Sequence, residues 1–135
     1  MMGEKIGEFT GKTTGRRVVP NGDQGLKMEM SIEQVGTLYG VNVVDYGTYE
    51  AVMCGKHLEG KGQGLMMTAD GETVMWSATG IGNFTGKGQA IAWRGSLTYH
   101  TESQKLARAN GVCVVFEYDV DETGNASKGR VFEWK

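Results

Sequence analysis

Leu26-Lys27-Met28-Glu29-Met30-Ser31-Ile32-Glu33 alternates apolar and polar residues without a break. Successive side chains of a β-strand point to opposite faces, so this period of two places Leu26, Met28, Met30 and Ile32 on one face of a strand. A helix would need apolar residues three and four positions apart. The same period continues along the chain. Val112, Val114, Phe116 and Tyr118 share a face, with Cys113, Val115, Glu117 and Asp119 opposite. Between Gln89 and His100, Ile91, Trp93, Leu97 and Tyr99 fall on one side, and Ala90, Ala92, Arg94, Ser96, Thr98 and His100 on the other.

Turn signals separate the runs. Asn21-Gly22-Asp23, Asp70-Gly71 and Thr123-Gly124-Asn125 supply residues that tolerate hairpin turns. The pattern predicts strands over 4–13, 26–38, 40–53, 57–68, 72–82, 87–100, 111–120 and 128–134, with a short helical turn in Ser103–Arg108. The fold class is therefore all-β, an antiparallel barrel of about eight strands in a single domain over 1–135, with a β-sandwich as the alternative. Several runs reach ten residues, against the usual ~5–6 for a strand. Long strands rich in glycine suit coiling and closure, which favours the barrel.

Composition narrows the functional classes. The chain has 135 residues and a formal net charge of -2, with its charges dispersed. The only local basic cluster is Arg16-Arg17, so nucleic acid is not an expected partner. No apolar run is long enough to cross a membrane as a helix, and Met1–Glu8 has no signal-peptide core, so a cytoplasmic protein is expected. Cys54 and Cys113 sit among apolar residues and are expected to be buried, reduced and inert. Glycine is the outlier, at 22 residues against one proline, and reads as turns, bulges and barrel corners. Gly60-Lys61-Gly62-Gln63 recurs as Gly86-Lys87-Gly88-Gln89, which reads as one corner used twice.

Phe84-Thr85-Gly86-Lys87-Gly88, Trp93-Arg94-Gly95, Leu106-Ala107-Arg108-Ala109-Asn110-Gly111-Val112 and Phe116-Glu117-Tyr118 together form a glycine corner, a strand, a short step and a closing strand. Over roughly residues 80–120 this order resembles the allene oxide cyclase-like barrels, a group that includes dirigent-like proteins and uncharacterised bacterial families. The resemblance implies an eight-stranded barrel with an apolar cavity, often in a homo-oligomer. It transfers no catalytic residue to a position in this chain.

The motifs that carry chemistry are sparse. Gly80-Ile81-Gly82-Asn83-Phe84-Thr85-Gly86 is not a dinucleotide fingerprint, and Gly11-Lys12-Thr13 lacks the upstream glycine of a phosphate loop. His57 and His100 have no acidic or cysteine partner at a metal-ligand spacing, so no metal and no cofactor are expected. Strand parity supplies the polar candidates. If small residues line the interior, Arg94 points inward and needs a carboxylate, for which Glu117 is the nearest on a neighbouring strand, and Glu50 is a further candidate. Under the opposite parity Trp93, Leu97 and Tyr99 fill the interior and Arg94 is solvated, which the rarity of buried charge favours. Tyr49 and Trp76 suit either a core or an apolar pocket. The ligand-binding candidates are thus Arg94, Glu117, Glu50, Tyr49, Trp76 and His100.

Three functions fit these residues. The first is a barrel that holds one small apolar ligand. The second is a cofactor-independent cyclase or isomerase, which needs a buried titratable group among Arg94, Glu50 and Glu117. The third is an oligomeric structural protein without a pocket, burying one face of a two-sided apolar strand such as Val112 to Val120.

Overall fold

The computed structural model describes residues 2–135. Its strands are β1 (Met2–Val19), β2 (Lys27–Leu38), β3 (Val41–Cys54), β4 (His57–Thr68), β5 (Thr73–Phe84), β6 (Ile91–Thr101), β7 (Cys113–Val120) and β8 (Ala126–Trp134). Each pairs antiparallel with its sequence neighbours, and β8 pairs back onto β1, closing an up-and-down barrel. Closure gives every strand a paired neighbour on both sides over most of its length. The alternating stretch around Met28–Glu33 lies in β2, in unbroken register with β3 from Lys27↔Val52 to Leu38↔Val41. Tyr39 and Gly40 form the tight turn between them, with φ of 48° and 77°. Two successive positive φ values give a hairpin turn whose twist matches that of the strands.

Two strands differ from the sequence reading by more than two residues at an end. β1 continues to Val19 rather than stopping near residue 13. A register shift between Thr13 and Gly15 bends it away from β8, and Gly15–Val19 pair with β2 alone. The polar Thr13-Thr14 and Arg16-Arg17 hid this extension, which the partner strand imposes. β6 begins at Ile91 rather than 87, because Gly86 and Gly88 take positive φ and build a loop. Gly60–Gln63, by contrast, lies within β4, so the repeated glycine motif is not one corner used twice.

Glycine has two separate uses here. Nine glycines hold positive φ in turns, while the rest lie inside strands. Many of the latter make room for inward aromatic rings. A Cβ on Gly64 would lie 2.3 Å from the Trp76 indole, and one on Gly47 would lie 2.6 Å from it. Gly60 and Gly82 clear Trp93 in the same way.

The bulky parity faces inward. One core cluster gathers Phe9, Leu38, Met66, Val74, Tyr99 and Val114. The connection between β6 and β7 caps that end of the barrel: Leu106, just before the 3-10 turn Ala107–Ala109, and Ala109, its last residue, are fully buried in the same cluster. Three polar contacts pin this plug. Lys105 pairs with Asp70 and Glu72, the Arg108 guanidinium stacks over the Tyr39 ring, and the Asn110 side chain bonds the Thr101 backbone on both its N–H and its carbonyl. A second cluster, Leu58, Trp93 and Val120 with Tyr49, Phe116 and Tyr118, fills the other half.

The outer wall carries an exposed apolar row across β2–β5. Val35, Val44 and Met67 are paired in register, as are Tyr46, Leu65 and Met75. On β7 the opposite holds: the even positions Val114 to Val120 are spent inside the barrel, and the outward positions Glu117 and Asp119 are ion-paired. No helix is long and apolar enough to cross a membrane among the described residues.

Candidate functional site

A cavity of about 100 Å³ lies inside the barrel, bordered by both core clusters. Asp45 of β3 faces it and is 1% exposed. Its position follows from parity: odd residues of β3 point inward, and Asp45 is flanked on that face by Val43 and Gly47. The Trp76 indole N–H donates to Asp45 Oδ1 at 2.7 Å, and the Gln34 amide donates to Oδ2 at 2.8 Å. No lysine, arginine or histidine forms an ion pair with it among the described residues. Burial without a cation disfavours the charged carboxylate, and the two neutral donors offset this only in part, so the Asp45 pKa is raised.

The rest of the lining is mainly aromatic. Tyr49 meets Trp93 edge-on at 5.7 Å between ring centroids and Tyr118 at 6.2 Å. Burial raises the Tyr49 and Tyr99 phenols, and the nearby Asp45 raises Tyr99 further. Among the buried polar atoms of the lining, Gln34 Oε1 has no hydrogen-bond partner in the protein, whereas the Trp93 indole N–H lies beside the Tyr49 hydroxyl and the Tyr118 hydroxyl beside Ser127. Buried polar atoms are normally paired, so the Gln34 carbonyl stands out as unused hydrogen-bonding capacity beside Asp45.

The sequence candidates divide. Tyr49 and Trp76 face the cavity. Arg94 and Glu117 do meet, directly opposite in the β6–β7 register, but on the outer wall. There Arg94 lies 2.8 Å from Asp119 and 3.7 Å from Glu117, and Arg130 completes the network at 3.0 Å from Glu117 and 3.1 Å from Asp119. Although β7 borders the cavity, its Glu117 carboxylate is spent in this surface cluster. Glu50 is also outward, paired with Lys27 at 3.4 Å. His100 is solvated, its side chain 75% exposed beside Glu102. Arg94, Glu50 and Glu117 thus all lie outward, the parity that the rarity of buried charge favours for Arg94: glycines beside the rings let the bulky parity turn in, which sends these charges out.

Asp45 was missed because its run, Val41-Asn42-Val43-Val44-Asp45-Tyr46, lacks clean alternation. The signal was there in the parity of Val43, Asp45, Gly47 and Tyr49 on one face. A second correction concerns the thiols and histidines. Cys113, the first residue of β7, is exposed rather than buried. Cys54, His57 and Glu59 place one ligand-type atom each within 4.8 Å of one another, so His57 does have cysteine and carboxylate neighbours.

No protein-family model matches the chain, and no curated protein matches it by sequence. Solved structures do. A protein of unknown function from Clostridium acetobutylicum superposes with a TM-score of 0.81 at 13% identity, covering 98% of both chains. A conserved protein of unknown function from Rhodopseudomonas palustris gives 0.79 at 12%, covering 98% of this chain and 97% of the other. A beta-barrel like protein from Acinetobacter baumannii gives 0.82 at 12%, covering 100% of this chain and 96% of the other. At such identities the likeness establishes a shared barrel fold.

Proposed function

We propose that this barrel binds one small, largely apolar molecule that carries a hydrogen-bonding group received by Asp45. The observation that carries this reading is a buried carboxyl without a cation, facing an aromatic cavity beside the unpartnered Gln34 carbonyl. Such a carboxyl is costly to bury, and perturbed titratable groups in cavities mark functional sites more often than chance. Size bounds the ligand. Pockets for drug-sized molecules span ~300–1,000 Å³, and an apolar cavity of ~150 Å³ takes up benzene. At about 100 Å³ the cavity suits nothing larger than a small single-ring compound such as benzene or phenol. The resemblance of residues 80–120 to cavity-bearing allene oxide cyclase-like barrels supports the same reading.

The test is titration with phenol and benzene, followed by the indole N–H resonances of Trp76 and Trp93. Phenol should bind and shift both signals, with benzene weaker. Ala78→Leu, which fills the cavity, should abolish binding while unfolding stays cooperative. Absence of binding by either probe, or binding unchanged in Ala78→Leu, would refute the reading.

A second reading, a cofactor-independent isomerase, rests on the same Asp45 carboxyl, which faces the cavity and whose raised pKa makes it a stronger base than an ordinary carboxylate. Arg94, Glu50 and Glu117 offer it nothing from the outer wall. It requires exchange of the α-protons of a small ketone with solvent, lost in Asp45→Asn.

A further inference from the structure

We propose that the β3–β4 turn holds a divalent cation of the zinc class through Cys54, His57 and Glu59. The site follows from hairpin geometry. Cys54 and His57 are the last in-register pair of β3 and β4, so they face each other directly across the turn. Residues two apart on a strand share a face, which places Glu59 beside His57. All three point away from the barrel interior, since inward residues of β3 are odd and those of β4 even. The sequence spacing is therefore Cys-Xaa-Xaa-His-Xaa-Glu on one side of one hairpin.

The distances suit a single ion. The three ligand atoms lie within 4.8 Å of one another, and His57 Nε2 is 3.1 Å from Glu59 Oε2. A tetrahedral zinc with bonds of ~2.0–2.3 Å holds its ligand atoms roughly 3.3–3.6 Å apart. Side-chain rotation alone closes that gap. The donors decide the metal class: magnesium and calcium take oxygen, whereas a thiolate, an imidazole and a carboxylate select zinc and its neighbours. Thiolate and carboxylate together neutralise the ion. With Cys54 and His57 half-buried and Glu59 exposed, the fourth position opens to solvent.

The turn lies at the end of the barrel away from the Leu106 plug, so the site is separate from the polar contacts that hold the plug. Cobalt(II) is the probe, because tetrahedral coordination by a thiolate gives an intense visible spectrum and a thiolate-to-metal charge-transfer band. The protein is titrated in a Cys113→Ser background, which removes the other thiol. One equivalent of cobalt should bind with the charge-transfer band, and zinc should displace it. Cys54→Ser should remove the band. His57→Gln should weaken binding by at least about tenfold, given that even the outer partners of a metal ligand cost ~10–100-fold. His100→Gln, at the other histidine–carboxylate pair, should leave binding unchanged. Far-ultraviolet circular dichroism confirms that each variant keeps the barrel. No charge-transfer band, or a band that survives Cys54→Ser, would overturn the proposal, as would equal binding in His57→Gln and the parent.

Discussion

Replacing Asp45 gives the sharpest check on the interior. Asp45→Ala removes the acceptor of two buried donors, the Trp76 indole N–H and the Gln34 amide. Each donor left unsatisfied costs ~1–3 kcal/mol, so the loss should be about 4 kcal/mol. Asp45→Asn behaves differently. Its carbonyl still accepts from Trp76, and its amide finds Gln34 Oε1, which has no partner in the native protein. Rotation of the Gln34 amide therefore restores this hydrogen bond and leaves one Gln34 amide atom unpartnered, as in the parent, so the cost should be near zero at pH 7. The pH dependence follows from linkage. The native carboxyl has a raised pKa, so the folded state holds its proton more tightly than the unfolded chain. Its contribution is fully present below the unfolded pKa and is lost as pH rises through the folded one. The asparagine variant lacks this loss, so its stability relative to the parent should rise with pH across that window. Equilibrium unfolding in urea, followed by tryptophan fluorescence at a series of pH values, measures all three effects. The reasoning fails if Asp45→Ala costs under about 1 kcal/mol, if Asp45→Asn is equally damaging, or if the difference between Asp45→Asn and the parent is flat in pH.

Gly64→Ala should cost about 3 kcal/mol or more, because a Cβ 2.3 Å from the Trp76 indole overpacks the core and strains its bond to Asp45, whereas Gly15→Ala, whose Cβ meets nothing closer than 3.8 Å, should stay within about 1 kcal/mol of the parent; chemical denaturation compares them. Leu106→Ala should cost ~2–5 kcal/mol in the same assay, since the plug residue is fully buried. Arg94→Ala should change stability by less than about 1 kcal/mol and leave probe binding intact, because its ion pairs lie on the outer wall. The Tyr49 and Tyr99 phenols have raised pKa values, so the folded state keeps their protons and loses stability as pH climbs above the ordinary tyrosine value; their ultraviolet phenolate signal should appear only with cooperative unfolding, and a non-cooperative titration while folded would contradict the burial.

The period-two runs determined the fold class, and most strand bounds came with them, because alternation is a local property that each strand carries in its own residues. Turn glycines such as Gly71 and Gly124 were legible for the same reason, since their positive φ is a demand of the turn itself. Parity was another matter. Trp93 and Arg94 are neighbours in sequence, and only the ring-sized spaces left by Gly82, the register partner of Trp93 on β5, and by Gly60 on β4 decide which of them turns inward. That decision moved Arg94, Glu50 and Glu117 to the surface and left Asp45 as the buried carboxyl. It also brought Cys54, His57 and Glu59 together, residues whose spacing means little until a two-residue turn sets the first two face to face. The sequence by itself determined which segments extend and where they reverse. The tertiary structure alone decided which face is inside, because that depends on side-chain volumes matched between neighbouring strands once their register is set.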